Sequence, residues 1–74
     1  MDYEKFFSDV AKWILECNSQ AAKLGFFNDE FWNWVVISLG ELCTKYNSDP
    51  LVMAQTDMLM DWLDDMWKKV KNNV

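Results

Sequence analysis

Between Phe31 and Tyr46 the chain reads FWNWVVISLGELCTKY, a stretch too apolar to lie on a surface with one face in water. Other elements must cover most of it, and that requirement governs what the chain can fold into. On a helical wheel, at roughly 100° per residue, Phe31, Trp32, Val35, Val36, Leu39, Leu42, Cys43 and Tyr46 share one arc. The arc spans about 140°, wider than a single packing stripe and suited to a helix with two neighbours. Trp34 and Ile37 fall outside it, among Asn33, Glu41, Thr44 and Lys45. Gly40 sits within the pattern at a cost of about 1 kcal/mol relative to Ala; it either admits a close neighbouring helix or is an ordinary weak spot.

Two further helices flank this one. Tyr3, Phe6, Phe7, Val10, Trp13, Ile14, Cys17, Ala21 and Leu24 recur at steps of three and four, which predicts an amphipathic helix over 3–24. Gly25 ends it, in the position favoured after a last helical turn. Asn28 then caps the second helix, over 29–46, with Asp29 and Glu30 placing negative charge in its first turn. Phe27 and Trp32 have the spacing of a hydrophobic staple. A metal loop at Asn28, Asp29 and Glu30 is the rarer reading of the same residues. In the connection Asn47-Ser48-Asp49-Pro50, Ser48 or Asp49 caps and Pro50 takes the first turn, where its missing N–H costs nothing. A third helix runs on to residue 71, with Lys68, Lys69 and Lys71 placed to suit its dipole. The expectation is therefore an all-α three-helix bundle, with helices near 3–24, 29–46 and 50–71, short loops and a single helical domain over 1–74. Val10, Ile14, Val35, Leu39, Leu59 and Leu63 are its expected core.

A chain of 74 residues buries only about 60–65% of its unfolded surface, so its stability is marginal unless something reinforces it. The five tryptophans supply much core area per residue. The two cysteines, Cys17 and Cys43, both fall on apolar arcs. In an antiparallel hairpin Cys17 lies level with about residue 37, which leaves Cys43 roughly 9 Å further along at a rise of 1.5 Å per residue. That is too far for a bridge. Buried, reduced thiols are expected, and they suit a cytoplasmic protein. The net charge is −5, which disfavours direct nucleic-acid binding because no basic footprint meets the phosphates. No apolar run approaches the length of a membrane span, and no basic-then-apolar signal opens the chain.

The third helix carries more apolar width than a three-helix bundle needs. Leu51, Val52, Met53, Leu59, Met60, Trp62, Leu63, Met66, Trp67 and Val70 occupy about 200° of the wheel. Its remaining side holds Asp57, Asp61, Asp64 and Asp65, with Lys68 and Lys69 one turn beyond the last two. Such an acidic side is ordinarily a solvated helix surface. The surplus at the Met53, Met60 and Trp67 edge suits either a core seam or an adaptable binding surface, and it leads to the expectation of a homodimer with that edge at its seam. Trp34 and Ile37, with Glu41 one turn on, have the anatomy of an apolar anchor beside a charged rim. The alternative is that the first or third helix wraps round and covers them.

No catalytic constellation is present. The chain contains no histidine, so neither cysteine has an imidazole partner, and with two glycines it has no phosphate loop. Paired carboxylates such as Asp61 and Asp65 have nothing apolar beside them to raise a pKa. No enzyme activity, cofactor or metal is expected. Three function classes remain: a module or inhibitor that occupies a partner's surface, a homodimeric structural or regulatory protein, and an acidic nucleic-acid mimic that blocks a basic cleft. The short, acidic, Trp-rich chain, with its segment NSDPLVMAQTDMLMDWLD from Asn47 to Asp64, resembles small uncharacterised proteins encoded by phages and prophages of Gram-positive bacteria. The resemblance covers about a quarter of the chain and transfers no functional residue. It implies a stoichiometric inhibitor of host machinery, of the anti-CRISPR or other anti-defence type. The reading that results is a non-catalytic protein-binding module whose partner is another protein or a second copy, with Trp34, Ile37, Glu41, Met53, Met60 and Trp67 as its candidate contacts.

Overall fold

The computed structural model describes residues 1–72 and is an all-α three-helix bundle: α1 over Tyr3–Leu24, α2 over Asp29–Lys45 and α3 over Pro50–Asn72. Each boundary follows from local chemistry. At the head of α1, Asp2 Oδ1 accepts the backbone N–H of Lys5 at 3.1 Å, satisfying a donor that the first turn leaves unpaired. At its end Gly25 takes φ +96°, a conformation that side chains rarely tolerate, and donates its N–H to Ala21 O at 2.9 Å.

Asn28 begins α2. Its Oδ1 accepts the N–H of Glu30 at 2.9 Å, and its carbonyl accepts the N–H of Phe31 at 3.1 Å. Phe26, one residue before the expected staple partner, also holds Trp32. Phe26 is partly buried, packs its ring against Trp32 at 5.8 Å and accepts the indole N–H through its carbonyl at 2.9 Å. Phe27 is exposed.

The second turn achieves its reversal without glycine. Asn47 and Ser48 adopt φ of 56° and 55°, and Ser48 donates its N–H to Cys43 O at 2.8 Å, the six-to-one bond that closes a helix C-terminus. Of the two capping candidates it is Asp49 that acts, its Oδ1 accepting the N–H of Leu51 at 2.9 Å. α2 ends at Lys45, one residue before the expected boundary.

The chain divides into two compact units, the first over Met1–Val35 and the second from Val36 onward. In the first, α1 buries Phe6, Val10, Trp13 and Cys17, and the opening turns of α2 bury Phe31 and Val35. Complete burial of a Phe or Val side chain contributes roughly 1.5–3 kcal/mol. In the second, Leu39 and Leu42 of α2 and Val52, Leu59 and Leu63 of α3 are buried. Thr56 is buried with them and donates its hydroxyl to Met53 O at 2.9 Å, so it carries no unpaired donor into the interior. Among the expected core residues Ile14 is the exception. It is partly buried, at the margin of the α1 core beside the exposed Leu15.

The two left-handed residues of the second turn differ in how well they suit it. Asn adopts that region readily, whereas Ser there stores about 1 kcal/mol of strain. Ser48→Gly is expected to stabilise the fold by about 0.5 kcal/mol after allowance for the looser unfolded chain. A rise of roughly 2–4 °C in the thermal midpoint by circular dichroism checks it.

Candidate interaction site

The second unit contains an open groove of about 210 Å³. Val36, Leu39, Gly40 and Cys43 of α2 line one side, and Thr56, Asp57 and Met60 of α3 line the other. Its origin is a shortage of side-chain volume. A Cβ built on Gly40 would meet no neighbour within 4 Å, so this glycine does not serve a close helix approach; it leaves open space. Thr56 is the smallest α3 residue in the lining, and its Oγ1 lies 3.6 Å from Cys43 Sγ. The walls are chiefly apolar, with Asp57 the one charged residue in the lining.

One candidate contact from the sequence, Met60, and one residue of the acidic side, Asp57, lie in this groove. Its other five lining residues, Val36, Leu39, Gly40, Cys43 and Thr56, were not among those candidates. Val36 sits within the apolar arc by wheel angle, yet it is 57% exposed. Gly40 offers no side chain to read, and Cys43 is partly buried instead of sealed in a core. What brings them together is the register of α2 against α3, which periodicity along one helix does not contain.

The remaining candidates separate. Trp34 belongs to the first unit, where it is partly buried and stacks on Trp13 at 5.5 Å between centroids, with the rings 14° from parallel. Phe31 lies 6.2 Å from it on a second stacked contact. Part of the alternative raised from the sequence therefore holds: α1 reaches round to Trp34. Ile37 is 61% exposed, Met53 is 44% exposed, and Glu41 is exposed. Trp67 is partly buried, with Lys71 Nζ 4.6 Å from the centre of its ring, a cation–π contact that covers part of the edge.

The acidic residues Asp57, Asp61, Asp64 and Asp65 are all exposed on α3. Lys68 Nζ contacts Asp64 at 2.9 Å, and this hydrogen bond, together with the charge of Asp64, holds the Lys68 ammonium above its ordinary value. Both cysteines are free thiols. Cys17 is 1% exposed, and burial pushes its thiol up to about 11, opposite to the shift that makes a nucleophile. Among the described residues no group of three or more Cys, Asp and Glu is placed to hold a metal ion, and no helix is long and apolar enough to cross a membrane. No family model, curated protein or solved structure matches the chain.

Separating Trp34 from Ile37 gives a measurable contrast. Trp34→Ala removes a stacked indole and should destabilise the fold by about 2 kcal/mol, whereas Ile37→Ala at an exposed position should change it by less than about 0.5 kcal/mol. Chemical denaturation of the two single variants checks both values. Cys17 gives a second contrast. Its folded pKa lies above the unfolded one, so its contribution is complete below about pH 8.5 and is lost as pH rises through 11. The loss approaches roughly 2–3 kcal/mol. Between pH 8 and 11 the wild type should lose about that much more stability than Cys17→Ala, measured by denaturant unfolding at each pH.

Proposed function

We propose that this chain is a non-catalytic protein-binding module that works by occupying the surface of another protein. The observation that carries the reading is the exposure of large aliphatic side chains in the second unit, Val36 and the next residue Ile37 on α2 and Met53 on α3, together with an open apolar groove. A small domain gains stability from burying such residues, and an exposed apolar patch with polar neighbours is the surface that associating proteins present. Two features argue against catalysis: the sequence has no imidazole, and the Cys17 thiol is shielded and hard to ionise.

The resemblance of the Asn47–Asp64 segment to small phage and prophage proteins supports a narrower form of the same proposal. In that form the chain is encoded by a mobile element and inhibits a host protein stoichiometrically in the cytoplasm, as anti-CRISPR and other anti-defence proteins do. Inhibition by surface occupation needs no cofactor and no active site, only a rigid scaffold with an apolar contact face.

The test is affinity capture from a bacterial lysate, with the wild-type chain and Ile37→Asp as paired baits. One protein should be retained by the wild type in a fixed stoichiometry and be reduced at least tenfold by the variant, while the thermal midpoints of the two baits agree. Equal capture by both baits, or no protein specific to the wild type, defeats the reading.

A further inference from the structure

The groove beside Gly40 also indicates the chemistry of what fills it. Its 210 Å³ receives a side chain of a helix that lies across it, and not the helix itself, which is about 10 Å wide. The occupant must therefore lie across the opening and insert an apolar residue between Gly40 and Met60. The stretches that line the groove, 36–43 and 56–60, carry Glu41 and Asp57 and no lysine or arginine, and Asp61 and Asp64 follow on α3. Asp64 is engaged by Lys68, whereas Asp57 is exposed and part of the lining itself.

We infer that the groove takes an aliphatic side chain from a basic amphipathic segment of a foreign protein, with a lysine or arginine of that segment reaching Asp57. This rests on the binding-module reading and adds the partner's chemistry to it. Charge decides against a second copy as occupant. A two-fold dimer places the same patch on both sides, so an acidic groove wall would meet an acidic groove wall within a protein already at net −5. Like charges so placed select against that pairing. A basic segment gains from the same carboxylates, and an amphipathic helix laid across the opening can seat one apolar anchor flanked by cations.

The experiment uses the full chain and two synthetic fluorescent helical peptides with the same leucine face, one with lysines and one with glutamates on the polar face. Gly40→Leu fills the groove at a helical position where an added Cβ meets no neighbour within 4 Å, and circular dichroism melting confirms that it folds. Asp57→Lys reverses the charge at the rim. The lysine peptide should bind the wild type, lose at least tenfold in affinity to each variant and weaken with salt. It should also slow modification of Cys43 by a thiol reagent, because Cys43 lines the groove. The glutamate peptide should not bind. Undiminished binding to Gly40→Leu, equal binding of both peptides, or no binding of either overturns the inference. So does sedimentation showing a wild-type dimer that Gly40→Leu dissociates, which would make a second copy the occupant. If the peptide arm fails while Ile37-dependent capture persists, the partner's chemistry is wrong and the binding module stands. If both fail, the module reading falls as well.

Discussion

Phe31 is the side chain on which the first unit turns. It has no exposed surface, and its ring lies 5.6 Å from Phe26, 5.3 Å from Trp32 and 6.2 Å from Trp34. Tilted, edge-on and stacked arrangements all occur in this one cluster, each of them favoured by the aromatic quadrupole over a face-to-face sandwich. Phe31 also lies three residues after the Asn28 cap, so the same few residues start α2 and bury its first turn. A chain this short has little spare apolar area, and large rings supply more of it per residue ordered than aliphatic side chains do.

The second unit is built differently. Its buried residues on α3 are Val52, Thr56, Leu59 and Leu63, small and medium side chains without an aromatic among them. Thr56 is tolerated because its hydroxyl has Met53 O as acceptor. Together with Gly40 it leaves the local volume short, and the groove results. α2 runs through both regimes, so one helix serves as a sealed aromatic seam in its first two turns and as an open wall afterwards.

Local chemistry made most of the fold legible. Gly25, Asn28, Asp49 and Pro50 act where their capping and breaking properties place them, and the helix bounds follow within a residue. Trp34, Val36 and Phe26 were harder because each depends on a neighbour that no single-helix period encodes. A wheel angle says where a side chain leaves its own helix, not what stands opposite. Trp34 leaves α2 on the polar side and is still reached by Trp13, while Val36 leaves on the apolar side and meets solvent. Met60 and Asp57 could be singled out from the surplus width of α3 and its acidic side. Gly40 and Cys43 became part of a site only once the register of α2 and α3 was known.

The Trp13–Trp34 stack has an optical consequence. Two indoles 5.5 Å apart and nearly parallel couple their electronic transitions, and an in-plane twist between the rings turns that coupling into an exciton couplet in the far-ultraviolet circular dichroism, superimposed on the helical bands. Both rings belong to the first unit, so the couplet reports the packing of that unit alone, while the helical bands report all three helices. The molecule thus carries a built-in chromophore pair through which melting of the aromatic seam and melting of the helices can be followed in a single spectrum, without an added label.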